Sequence, residues 1–440
     1  MKKNSAFLAA RAAWSAVVLT ATVVLGFYPA VITGIVLCDT QLRREGQSKL
    51  VPGWFNGLSV RYEKWAGHYL ESGRAQKSKS VAATEWPMFG SVFFLLTAEA
   101  LQEQGLVDAR SGQIRRAVER AREIVVSPDT ATWVKQMWGE DYLERENVFY
   151  RMLLILGTSA YESITGDLQC RALMSEQRQK LAAELERAPR HLLDDYPGEC
   201  WPVDIAMALT AIQRAAALEG TNHNALTRSA LEEFSAPLGI GFYGLPPYKV
   251  AKTTGTPLEV PRGAGLSGCL TILAEADLEM AERWHRAYTE QFWKQNAWLA
   301  GFSEYPSWDK SSLSDVDSGP VVFGVGSVAS AFGIGASRMV GRFDQAAPLT
   351  MEAVACAWPT PFGFLLPMLM GKVAMDGACL AETALLFSMT RPNRAAETTP
   401  FTGRAPLLVW IMMLAYAGWG VWRVCGEIRW WRRWRLTHKD

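Results

Sequence analysis

ENVFYRMLLILGTSAYESITGD, residues 146–167, is the stretch on which the fold is read. From Val148 to Ile164 its apolar residues recur at spacings of three and four, the period of a helix, and Gly166 stands where that helix would end. The same pattern returns at Trp86 to Glu103, Asp204 to Leu218 and Leu266 to Tyr288, with Gly or Pro near the ends. Strand-like alternation is scarce. About a dozen such segments of roughly 30 residues each, loop included, would fill the middle of the chain. The expected fold is therefore all-α, helical hairpins closed into an (α/α)6 toroid, although no sequence repeat of fixed period is detectable. Between Pro237 and Arg262 the run GIGFYGLPPYKV breaks the pattern and reads as a long loop, a kind of segment that often carries function. The apolar run from Met351 to Met389 is interrupted by Glu352, Lys372, Asp376 and Glu382, and so reads as core helices rather than a third membrane span.

Two flanking segments are of another kind. Ala12 to Cys38 and Ala405 to Trp422 hold no charged residue, and each reaches the roughly 18 to 20 residues that a bilayer's hydrocarbon demands. The first is too long for a cleaved signal peptide. The second runs into Trp419, Trp422, Trp430, Trp431 and Trp434 interleaved with arginines, the composition of a membrane interface. These segments predict a basic N-terminus (1–11), a membrane helix (12–38), a toroid (39–404), a second membrane helix (405–422) and a basic Trp/Arg-rich tail (423–440). Over 440 residues, 45 Lys and Arg against 44 Asp and Glu give +1, but the sum conceals a split. From Asp39 to Arg404 there are 36 basic and 42 acidic residues, a net of −6, whereas the two ends together carry +7. By the positive-inside rule both termini are expected in the cytoplasm and the toroid on the periplasmic side of a cell membrane. An acidic middle excludes a nucleic-acid footprint there. With 49% hydrophobic residues and a mean hydropathy of +0.00, the chain is neither disordered nor fully polytopic.

Cysteine and histidine narrow the chemistry. Cys170, Cys200, Cys269, Cys356 and Cys379 are scattered without a C-x-x-C pair, and the five histidines never cluster at ligand spacing. Neither a zinc site nor any cofactor is expected. Gly324-x-Gly326-x-x-Ala329 lacks a surrounding βαβ unit and reads as a small-residue helix that permits close packing, not a dinucleotide fingerprint.

Carboxylates carry the strongest signal. In Tyr196-Pro-Gly-Glu199-Cys200-Trp201-Pro202-Val-Asp204, acids and aromatics crowd one loop that opens a helix, with Asp204 expected at or near its N-cap. Glu304-Tyr305-Pro306-Ser-Trp308 and Asp315-Val-Asp317-Ser318-Gly319-Pro320 form a second such element; its Asp-x-Asp-x-Gly lacks the further ligands calcium requires. Trp133 and Trp138 precede Glu146-Asn147-x-x-Tyr150, which places Asn147 and Tyr150 one turn apart.

Taken together, Glu146-Asn147-Val-Phe-Tyr150, the block Ala160-Tyr161 to Thr165-Gly166-Asp167, the Glu199 to Gly220 block and Asp315-x-Asp317-x-Gly319 resemble, in order, the linalool dehydratase-isomerase family. The resemblance spans roughly Glu85 to Arg391. It implies an (α/α)6 toroid with a cofactor-independent site at its mouth that dehydrates or isomerises an alcohol. The family's cysteine at the helix start aligns with Asp204 and its earlier cysteine falls near Asp195, while its histidine becomes Leu153. The thiol pair and the imidazole are thus absent.

The expected function is a membrane-anchored acid/base enzyme, a lyase or isomerase acting on a small alcohol. Asp204, Asp317, Glu199 and Tyr150 would be catalytic, and Asn147, Trp138, Trp201, Glu304, Trp308 and Asp315 would bind the substrate. An alternative on the same toroid is a glycan hydrolase or epimerase, for which paired acids and tryptophan platforms are suited. A small apolar pocket would mark the first and an open polar groove the second. A third reading, a non-catalytic envelope module, requires that the motifs not converge. A homo-oligomer is compatible with all three.

Overall fold

The structure, a computed structural model, describes residues 2–78, 80–309, 317–374 and 379–437. Twelve helices build its body: α1 (Val51–Ser72), α2 (Val81–Glu103), α3 (Gly112–Val126), α4 (Val148–Thr165), α5 (Arg171–Arg187) and α6 (Pro202–Leu218) in the first half. The second half adds α7 (Asn224–Ser235), α8 (Gly263–Leu273), α9 (Leu278–Phe292), α10 (Ser327–Met339), α11 (Phe343–Ala357) and α12 (Leu380–Thr390). The even-numbered helices form an inner ring. Each packs on the next, and α12 packs back on α2, so the ring closes; the odd-numbered helices pack around it. This is the (α/α)6 toroid.

The difference between the rings is written in the helices. Every residue of α4 from Val148 to Glu162 is buried, as expected of a helix enclosed on all sides. In the outer α3 only one stripe is buried, Ala117, Val118, Ala121, Ile124 and Val125, with Arg116, Glu119 and Arg120 facing outward. Gly157 lets the two helices meet: a Cβ there would lie 2.9 Å from Val125 Cγ1. Each enclosed Leu, Ile or Phe of this ring contributes roughly 1.5–3 kcal/mol.

The two rims differ. Turns from inner to outer helices are short, such as 274–277 and 340–342, whereas the segments from outer to inner helices include 127–147, 236–262, 293–326 and 358–379. The long segments define the mouth. Across the far rim Arg214 of α6 pairs with Glu99 of α2 and with Glu275, and Arg391, just after α12, reaches Glu275 at 3.5 Å and the Leu96 carbonyl at 2.6 Å. These charges are buried, but each has a partner, which burial requires.

Helices Ala6–Leu37 and Leu407–Thr437 are long and apolar enough to cross a membrane. They pack against each other where Gly26 and Gly420 leave room for Trp419 and Phe27: a Cβ on either glycine would fall 2.9 Å from the facing ring. Arg11 pairs with Glu427 at 2.7 Å, and Ser15 adds a hydrogen bond of 2.8 Å to the same carboxylate.

Some expectations need correction. The helix expected from Leu266 to Tyr288 is two, α8 and α9, because the turn 274–277 ends in Asp277, whose carboxylate accepts from Met280 N and caps α9. The second apolar helix does not stop at Trp422 but continues to Thr437. Gly324 lies in a β-hairpin at φ 75°, and only from Ser327 does the small-residue helix begin. Met351 to Met389 resolves into the end of α11, a hairpin (Pro359–Thr360 with Gly363–Phe364), a helix Leu365–Ala374 and α12.

Candidate active site

Three connecting segments (188–201, 236–262 and 293–326) and the starts of α2 and α6 deliver acids and phenols to the mouth. Asp204 sits in the first turn of α6. It is not the N-cap, which is Trp201, and it caps no backbone amide. Its carboxyl is half-buried yet pushed up to about 8, first by loss of hydration, then by repulsion from Asp317 and from Glu85. Glu85, in the second turn of α2, is likewise half-buried and pushed up to about 7 by lost hydration and by Asp317; a 3.0 Å hydrogen bond from the Tyr196 hydroxyl opposes this only in part. Asp317 itself is exposed and accepts a 3.2 Å hydrogen bond from the Tyr248 hydroxyl. Behind them Asp195 is buried, and lost hydration, then Asp204, hold its carboxyl well above the usual range. Its Oδ2 accepts from Trp201 N at 3.1 Å, while Oδ1 has no partner among the described residues.

A helix N-terminus favours a nearby anion by about 0.3–1 kcal/mol. At Asp204 that is outweighed, because holding its carboxyl at about 8 rather than 3.8 corresponds to roughly 6 kcal/mol against the anion. Asp204 and Glu85 thus keep some surface while losing much of their hydration. Such a cluster of mutually raised carboxyls can store and pass protons near neutrality.

The supporting shell is specific. Glu146 Oε2 accepts from Asp194 N and from Lys252 Nζ, each at 2.8 Å, and Lys252 also reaches Asp194 Oδ2 at 2.9 Å. The start of α4, the 188–201 segment and the 236–262 loop are thereby bolted together. Trp138 Nε1 donates to the Asp195 carbonyl at 3.2 Å. Asp195 N to Glu199 O (2.9 Å) and Glu199 N to Tyr196 O (2.8 Å) close the tight turn that aims Tyr196 at Glu85.

The remaining candidates divide. Trp201 stands edge-on to Tyr196 at 5.9 Å with Lys249 over its ring at 5.3 Å, beside the cluster. Glu199 is drawn to Lys249 at 3.3 Å. Trp308 stacks on Phe242, ring centroids 6.1 Å apart, an aromatic pair on the open rim. Three do not face the cluster. Asn147 is fully enclosed, with a left-handed backbone (φ 37°), and its amide holds the Tyr142 carbonyl at 3.2 Å. Tyr150 is buried edge-on against Tyr142 and Trp133. Burial, followed by Tyr142, keeps its phenol far from ionising. Glu304 is buried against Arg262 Nε at 2.8 Å and Ala264 N at 3.1 Å, which anchors the start of α8. Asp315 lies outside the described residues. Glu85, Asp195, Tyr196 and Tyr248 were missed as site residues. For Glu85 the available signal was an acid, followed by Trp86-Pro87, inside an otherwise apolar helix.

Two recesses are measurable, both away from this cluster. One of about 460 Å³ lies on the far rim by Glu99, Glu103 and Arg110, and one of about 300 Å³ lies between the two long apolar helices by Glu427 and Trp431. Glu99 and Glu427 are already spent on arginines. No family model matches the chain. No curated protein matches it either. Among solved structures it is similar to a family 76 glycoside hydrolase from a bovine Bacteroides thetaiotaomicron strain, with a TM-score of 0.39, 11% identity, and 69% of this chain and 68% of that chain covered.

Proposed function

We propose that the chain is a carboxylate-dependent enzyme of the glycan-hydrolysing kind, held by its two apolar helices at a membrane. The observation that carries the reading is the meeting of Asp204, Glu85 and Asp317 at an open mouth, the first two held protonatable near neutral pH. Asp204 enters as the acid and gives its proton to the glycosidic oxygen, so that the C–O bond breaks with the leaving sugar neutral. Asp317, the exposed carboxylate, takes a proton from the water that attacks the anomeric carbon. Glu85, whose charge acts on Asp204 and which feels that of Asp317, would return the proton to Asp204 for the next cycle through water. Its orientation is held by the Tyr196 hydroxyl.

The polar groups next to the acid cluster support sugar over a terpene-like alcohol. Dehydration, the chemistry implied by the family resemblance, would use the same acid but calls for a closed apolar pocket. Here the cluster is bordered by the Asp317–Tyr248 hydrogen bond, the Lys249–Glu199 pair and the Trp308–Phe242 stack, groups suited to hydroxyls and sugar faces. The test is incubation of the full chain in vesicles with an oligosaccharide panel in ¹⁸O-water, products being read by mass spectrometry. Hydrolysis places one ¹⁸O at the new reducing end, and Asp204→Asn and Asp317→Asn should each abolish it. Wild-type turnover by Asp204→Asn would sink the assignment.

A further inference from the structure

The relation between the mouth and the long apolar helices has a consequence for how substrate arrives. The segment that follows the first of these helices lies at the far rim: Arg338 Nη1 reaches the Glu45 carbonyl at 3.2 Å, and Gly46 abuts Phe343 at the start of α11. The end of α11 lies at the mouth. There Trp358 Nε1 donates to the Leu25 carbonyl at 3.0 Å and its ring meets Tyr416 at 5.1 Å. The helix Ala6–Leu37 therefore descends the flank of the toroid from far rim to mouth, and residues 6–24 continue past it. Hydrocarbon takes up about 20 residues of a helix. In a helix of 32 residues, every stretch of that length includes residues 18–25. Wherever the bilayer is drawn, the Leu25 level, and with it the mouth end of α11, is within it.

The surface of the mouth agrees independently. Phe323 on the hairpin before α10 is 87% exposed, Ile240 in the 236–262 loop 79% and Phe362 on the hairpin before α12 64%; Leu366, Leu369 and Met370 on the adjoining helix are exposed as well. Large apolar side chains concentrated on one rim mark a surface that is covered in use. Among the described residues the turns of the far rim offer Leu106 and Leu168.

We propose that the mouth rests on the leaflet and takes its substrate from it, an amphiphile in which a saccharide is carried on a lipid. The saccharide part rests on the glycan reading of the acid cluster; the orientation of the mouth does not. The test uses the full chain in phosphatidylcholine/phosphatidylglycerol vesicles with photoreactive benzoylphenylalanine placed singly at Phe323, Phe362, Leu106 or Leu168. Cross-links to lipid at Phe323 and Phe362, and none at Leu106 or Leu168, are expected. Lipid cross-links at the far rim, or none at the mouth, overturn the orientation. In parallel, one oligosaccharide is supplied free and lipid-linked, and confinement to the surface should raise kcat/KM for the linked form about tenfold or more. Equal rates for the two forms overturn the substrate class while leaving hydrolysis standing. If neither form is cleaved, the glycan reading falls, and the cross-links alone decide the orientation.

Discussion

Replacing Asp204 with asparagine should abolish turnover and, at the same time, make the protein harder to unfold in alkali. The folded carboxyl titrates at about 8, against an ordinary 3.8. Because the folded value is raised, ionisation opposes the fold: the penalty begins as pH passes 3.8 and is complete above 8. At 1.36 kcal/mol per pH unit it is about 2 kcal/mol at pH 5 and about 6 kcal/mol at pH 9. Asparagine removes the titration, and its own burial cost is the same at both pH values. The stability of Asp204→Asn relative to wild type should therefore improve by about 4 kcal/mol between pH 5 and pH 9, an upper bound because Glu85 and Asp317 share the repulsion. In a protein of this size that corresponds to a relative gain in Tm of about 8 °C at most. Differential scanning fluorimetry of both proteins in nanodiscs, at pH 5 and pH 9, reads the difference. The same Tm offset at both values would refute the claim that the fold holds this carboxyl protonated.

Other expectations follow from the same geometry. Glu85→Gln removes one of the charges that raise Asp204, so the alkaline limb of the pH–rate profile should move to lower pH by a fraction of a unit; a limb that stays put or rises contradicts the cluster. Glu304→Ala leaves Arg262 buried beside an empty position and should destabilise the fold by about 3–5 kcal/mol, measured by thermal shift, with Glu304→Gln milder. Gly420→Val drives a branched side chain toward the Phe27 ring and should cost about 1–3 kcal/mol in vesicles, whereas Gly418→Val, which meets nothing within 4 Å, should be silent.

The toroid was legible because its helices carry apolar residues at three- and four-residue spacing, and even the enclosed α4, which keeps Arg151, Thr158, Ser159 and Glu162 among its apolar residues, ends at Gly166. Its near-dozen of helical segments matched the twelve helices of the two rings. The site was legible only where acids sat among turn residues, as at Asp204 and Asp317. Glu85 escaped because it lies on a helix whose apolar pattern marks it as core, and only closure of the ring brings α2 beside α6. Asn147 and Tyr150 were placed in the site because an E-N-x-x-Y pattern cannot reveal direction. The structure turns both inward and leaves Glu146 to hold the loops that carry Asp194 and Asp195. Asp195 was legible only as a neighbour of the 196–204 loop; its coupling to Asp204 appears once the 188–201 segment folds back on the start of α6.

Closure of the inner ring sets an order on biosynthesis. The contact that completes it joins α12 (Leu380–Thr390) to α2 (Val81–Glu103), about 300 residues apart in the chain, and the partner of the first apolar helix is made later still. While the ribosome works through the intervening residues, the first helix must wait with the Gly26 groove unfilled, and the growing wall of helices must stand open with its inner faces wet. Pairings this distant along the chain form slowly. A nascent toroid with a missing wall is thus a natural client for a chaperone or a target for a protease until α12 docks on α2, and the helix Leu407–Thr437 then fills the groove at Gly26.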